Sequence, residues 1–246
     1  MRFLTKEWYQ TMQDSGLGVS LEIDVRAAEC SDAVFQSVWA EKLHDWLQMR
    51  EEICPILEEA YDETAERRCF AEAYHRELEA YRTRTPAEIL AKVADLRLLA
   101  LGICTEEVFA ELEAYRDRCR AETERVMGEA WKMQSAQGLD KIWTGKHSLH
   151  DSVVQSMDRE GEDLTVEFER DEEADWPEIG AVRFHGARIL KQEQSAENAW
   201  WLYDEIWRTD GGYEVHALLW RENEVFELTV QCREPELVWT MEPKTE

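Results

Sequence analysis

The chain has 246 residues, of which 44% are hydrophobic, and 54 Asp/Glu against 28 Lys/Arg leave it a formal net charge of −26. That length buries a proper core in one large domain or two small ones, and the apolar fraction excludes a disordered chain. No apolar run reaches the length of a membrane span. The start Met1-Arg2-Phe3-Leu4-Thr5-Lys6-Glu7-Trp8 meets charge and Trp too early for a signal-peptide core, so a cytoplasmic location without a membrane partner is expected. The charge repels nucleic acid and would steer in a basic protein partner, although a solvated, solubility-promoting surface is the plainer account of it.

Apolar residues recur at three and four up to about Gly145 and alternate thereafter, which predicts a mainly helical region over 1–145 and an antiparallel β-sheet region over 146–246, packed together. A first helix is expected near Thr5–Gln13, capped by Thr5, followed by an extended segment from Gly16 to Val25. The next helix follows Ser31 with Phe35, Val38, Trp39, Leu43, Trp46 and Leu47 as its apolar stripe. Pro55 is placed at the start of another, running to about Arg82. Thr85-Pro86-Ala87-Glu88 has the chemistry of a helix start, with the helix ending at Gly102. A long acidic helix from Thr105 to about Gln137 stops before Gly138.

The strands are expected at Ser152–Met157, Leu164–Phe168, Ala181–Leu190, Trp200–Arg208, Tyr213–Trp220 and Val225–Cys232, with a longer acidic loop at Asp171–Gly180. Turn chemistry at Gly161, Asp210-Gly211-Gly212 and Glu222-Asn223 makes neighbours antiparallel and the whole a meander. Helices first and strands after is an α+β pattern, with the helices covering one sheet face.

The six cysteines show no Cys-x-x-Cys spacing and read as reduced thiols, without a disulfide framework or zinc site. Glu41/His44 and Glu72/His75 have the Glu-x-x-His spacing of di-iron bundles, but neither pair projects from its helix's apolar stripe as such a site requires. His147 and His150 are three apart in a segment entering a strand, where they face opposite sides. No metal and no cofactor is expected.

The region with most chemistry lies in 200–232. A two-residue loop at Asp210-Gly211 sets Trp201, Tyr203, Glu205 and Trp207 on one face beside His216, Leu218 and Trp220, pairing Glu205 with His216 and Trp201 with Trp220. Such a face is either packed against the helices, the plainer account, or used for binding. As a site it comprises Trp201, Tyr203, Glu205, Trp207, His216 and Trp220, with Glu205 orienting His216. A carboxylate and an imidazole are the minimum for acid–base work, yet no nucleophile is tied to them, and a cross-strand ion pair explains them.

Several stretches resemble a family of bacterial proteins catalogued as domain of unknown function 4085: Phe3-Leu4-Thr5-Lys6-Glu7-Trp8-Tyr9, Val93 to Gly102, Leu149-His150-Asp151-Ser152, and Trp200 to Ile206 with Tyr213 to His216. The resemblance implies no activity, cofactor or catalytic residue. The expected function is therefore that of an acidic, non-enzymatic interaction protein contacting a protein partner through the aromatic face. The alternative is a small-molecule binder or hydrolase with a cleft between helices and sheet.

Overall fold

A computed structural model describes residues 1–139, 149–170 and 179–240. His147 and most of the expected acidic loop 171–180 lie outside the described residues. The protein is α+β, with helices first and an eight-stranded antiparallel sheet after. It divides into two compact units, residues 12–121 and residues 1–11 with 122–246. The change of period near Gly145 therefore does not coincide with the division between units. Residues 1–11 and 122–139, although mainly helical, belong with the sheet.

Helix α1 (Lys6–Asp14), whose first part belongs with the sheet unit, starts where Thr5 Oγ1 accepts a hydrogen bond from Trp8 N at 3.2 Å. Most of the expected extended segment is turns; only β1 (Glu22–Ile23) pairs, parallel to β2 (Ile103–Cys104). The long helices are α2 (Asp32–Ile53) and α3 (Glu63–Arg84). Helix α3 starts at Glu63 and not at Pro55, because Asp62 accepts hydrogen bonds from Thr64 N and Ala65 N, satisfying amides that Cys54 has no side-chain oxygen to receive.

The single helix expected between Thr85 and Gly102 is split into α4 (Ala87–Leu90) and α5 (Leu96–Ala100). Asp95 draws the Arg97 amide at 2.9 Å and the Arg97 guanidinium at 2.8 Å. This local side-chain bond replaces helical continuation. Val38, Leu98 and Leu112 are fully buried in the core of this unit. An edge-on aromatic ladder joins α2 to α3: Trp39 meets Phe70 at 4.9 Å and Tyr74 at 5.0 Å.

In the sheet unit the last part of α6 (Glu106–Ala136) precedes β3 (Ser152–Glu160), β4 (Asp163–Phe168), β5 (Ile179–His185), β6 (Arg188–Gln192), β7 (Trp200–Thr209), β8 (Gly212–Arg221), β9 (Glu224–Cys232) and β10 (Glu234–Trp239). The order across the sheet is β10-β5-β4-β3-β7-β8-β9-β6. It is thus two meanders, β3–β4–β5 and β7–β8–β9, joined where β3 meets β7, with β6 and β10 added at opposite edges. The single strand expected over Ala181–Leu190 is β5 and β6, broken at Gly186, whose φ of +60° suits glycine.

Both meanders send side chains into one shared core. Val154, Val166, Phe168 and Phe184 from the first meet Ile206, Leu219, Phe226 and Val230 from the second. The sheet therefore closes over its own apolar face, and the helical segments of this unit cover the other side of β7 and β8.

Candidate functional site

The hairpin β7–β8 turns at Asp210-Gly211 and pairs Glu205 with His216 and Trp207 with Glu214, as the two-residue loop requires. The register then slips by one between Trp201 and Tyr203. Trp200, not Trp201, stands opposite Trp220, and Trp201 stands opposite Leu219. A bulge at Leu202 inserts the extra residue, and His150 Nδ1 contacts the Leu202 carbonyl. Everything before the bulge changes face. Trp201 points into the closed core, edge-on to Phe168 at 5.6 Å, and is 0% exposed. The expected alignment of Trp201 with Trp207 and Trp220 on one face does not occur.

The face that keeps Tyr203, Glu205, Trp207 and His216 is covered by residues 1–11. The Glu205 carboxylate is fully buried and accepts from four donors. Its Oε1 takes the amides of Phe3, at 2.8 Å, and Leu4; its Oε2 takes Arg2 N and Trp207 Nε1, each at 2.9 Å. The Arg2 guanidinium lies 4.6 Å over the Trp207 ring, and Phe3 packs 5.8 Å from it. Trp8 meets Tyr203 edge-on at 4.8 Å, and its Nε1 donates to the Thr123 carbonyl at 3.2 Å. Trp207 is 0% exposed. Of the six expected binding residues, Trp201, Glu205 and Trp207 are thus interior, while Tyr203, His216 and Trp220 are half-buried.

Glu205 does not orient His216. All its oxygens serve other donors, and His216 Nδ1 pairs with Thr229 Oγ1 at 3.2 Å while its Nε2 lies 3.5 Å from the Glu214 carboxylate. Burial pushes the imidazole below its ordinary value of 6.5, against the opposing pull of Glu205 and Glu214. A histidine depressed in the folded state contributes stability that is complete above the unfolded value and is withdrawn as pH falls through the folded one. Urea unfolding at pH 7 and pH 5 should show a smaller loss of stability for His216→Asn than for the parent chain. An equal loss in both would show that His216 is not the group responsible.

A second device was not legible in the sequence. Beyond Trp201, β3 no longer pairs with β7, and among the described residues no other strand takes its place. Gln134 Oε1 accepts from Ile206 N at 3.1 Å and Gln137 Oε1 from Arg208 N at 3.4 Å. Two glutamines three apart at the end of a helix thus satisfy alternate amides of an open strand. Their spacing is the only signal, and glutamine is common on helices.

His185 sits between Asp163, 2.9 Å from Nδ1, and Glu236, 3.1 Å from Nε2, whose hydrogen bonds raise its pKa. Glu41 of the first Glu-x-x-His pair is held by Arg26 at 2.7 Å. Among the described residues no group of three His, Cys, Asp or Glu side chains could hold a metal ion. Nor is any helix among them long and apolar enough to cross a membrane.

An open apolar concavity lies in the helical unit, between α2 and α3. It holds about 590 Å³. Trp46 and Met49 of α2, Phe70, Ala73 and Tyr74 of α3, and Ser20, Ala100 and Leu101 line it, and the Trp46 and Phe70 rings meet across it with centroids 6.1 Å apart. Met49 is 40% exposed, high for so apolar a side chain within a lined groove. Lys42, Asp45 and Glu77 stand at the lips. Trp46 belongs to the apolar stripe of its helix in the sequence. Periodicity identifies the face of a helix, and cannot tell a filled seam from one that is left open.

No curated protein and no solved structure matches the chain. A family model matches from the end of α6 through β9, so the match includes seven of the eight strands, with Glu205 and Trp207, and leaves out β10, the Arg2, Phe3 and Leu4 donors to Glu205, and the groove. The stretches Phe3–Tyr9 and Val93–Gly102 also fall outside it. Over residues 130–231 the chain matches the family described as protein of unknown function (DUF4085), which bears out the resemblance across that region.

Proposed function

We propose that this is a non-enzymatic binding protein whose contact surface is the groove between α2 and α3, with the sheet unit as a closed scaffold. The observation that carries the reading is the groove itself: an open volume of about 590 Å³ with aromatic and aliphatic walls and charge only at its lips. Release of water from such apolar walls favours an occupant. Ligand sites combine such walls with a few polar groups at the margin. The aromatic sheet face is a weaker candidate, since residues 1–11 already occupy it. Hydrolysis finds no support at Glu205 and His216, because the carboxylate is saturated by four donors.

The test is a neutral apolar fluorophore, N-phenyl-1-naphthylamine, titrated into the full chain. Its emission should rise on binding, and Ala73→Trp, which fills the groove from a half-buried helix position, should weaken that binding roughly tenfold or more. Glu79→Trp, on the exposed side of the same helix, should leave it unchanged. Equal binding by Ala73→Trp and the parent chain would remove the groove as the contact surface.

A further inference from the structure

The shape and charge of the groove narrow its occupant. Both walls are helical and present side chains at three- and four-residue spacing, Asp45, Trp46 and Met49 on α2 facing Ala73, Tyr74 and Glu77 on α3. Backbone amides in the middle of those helices are engaged within them, so the walls give an extended peptide no template for strand addition. They give a third helix a trough into which its own apolar ridge can settle.

Charge sets the second condition. Lys42, the one cation at the lips, is neutralised by Glu22 at 2.8 Å. Asp45 and Glu77 are both exposed, and among the described residues neither has a salt-bridge partner. The unit around them, residues 12–121, carries 24 Asp/Glu against 13 Lys/Arg, a net charge of −11. One unpaired carboxylate thus stands on each side of an apolar trough within a negative field.

Resting on the reading of the groove as the contact surface, we infer that its occupant is an amphipathic α-helix of a partner protein, apolar on one face and flanked by Lys or Arg. The apolar ridge displaces water from Trp46, Met49 and Tyr74, while the flanking cations meet Asp45 and Glu77 and fix the register.

The experiment uses the full chain and a fluorescein-labelled peptide with Leu at i, i+3, i+4 and i+7 and Lys on the flanks, followed by anisotropy at low ionic strength. Two controls share its leucines: one has Glu in place of Lys, the other keeps Lys but carries two central prolines that prevent a helix. The helical Lys peptide should bind about tenfold or more tighter than either control, and Ala73→Trp should abolish the difference. Asp45→Lys with Glu77→Lys, both at exposed positions, should reverse the preference between the Lys and Glu peptides. Equal binding of the three peptides, no binding by any, or binding indifferent to these substitutions would each overturn the inference. The neutral fluorophore separates the two levels. If it still requires an open groove while the peptides fail, the helix inference alone falls; if it fails too, the groove reading falls with it.

Discussion

Replacing Glu205 by Ala should cost about 3–5 kcal/mol of stability, in the range for removing one member of a buried charged network. The carboxylate is fully buried and accepts from Arg2 N, Phe3 N, Leu4 N and Trp207 Nε1. Truncation leaves four donors facing a void, each worth roughly 1–3 kcal/mol if it stays dry. The sum is an upper bound, because Arg2 is exposed and its amide can reach water. Glu205→Gln should cost about 2 kcal/mol or more, since it keeps one oxygen but turns an NH₂ toward donors. The effect should also be local: residues 1–11 are tied to the sheet through this carboxylate, so trypsin should cut after Lys6 faster in Glu205→Ala than in the parent chain. Urea unfolding measures the first effect and a timed digest the second. A loss below about 1 kcal/mol, with unchanged digestion, would mean that the segment is held by Phe3 and Trp8 packing alone.

That carboxylate also marks where sequence reasoning succeeds and where it stops. The pairing of Glu205 with His216 follows from a two-residue loop and strand alternation, and the structure shows it. The role of Glu205 does not follow, because three of its four donors are backbone amides some 200 residues away, and backbone groups leave no trace in composition. The split at Asp95 and the start of α3 at Asp62 are legible in principle, since both are helix-capping residues, but Pro55 and the apolar run after Thr85 are competing signals of the same kind. The closing of the sheet on itself is harder. Alternation shows that one strand face is apolar, and says nothing about whether helices or the other half of the same sheet cover it. The groove is least legible, since Trp46 and Tyr74 have the same spacing whether the seam beside them is filled or open.

The bulge at Leu202 yields the second large effect, because it decides which of two adjacent tryptophans is core. Strand alternation without it puts Trp201 on the face shared with Glu205 and sends Trp200 into the apolar core. With it, Trp201 is 0% exposed, edge-on to Phe168, while Trp200 is 42% exposed opposite Trp220. Trp201→Ala should therefore cost about 3–5 kcal/mol, the sum of lost burial and the cavity left in a core that two meanders close from both sides. Its indole Nε1 also donates to Asp204 at 2.8 Å, so the carboxylate loses a partner as well. Trp200→Ala should cost about 1 kcal/mol or less, the worth of a cross-strand pair on a solvent-facing side of the sheet. Paired urea denaturation of the two variants reads the difference directly, and acrylamide quenching should reach Trp200 far more readily than Trp201. If the two substitutions cost the same, or Trp200→Ala costs more, the register runs unbroken through Leu202. Trp201 would then return to the face of Glu205, and the covered side of the sheet would have to hold one more indole than residues 1–11 now pack against.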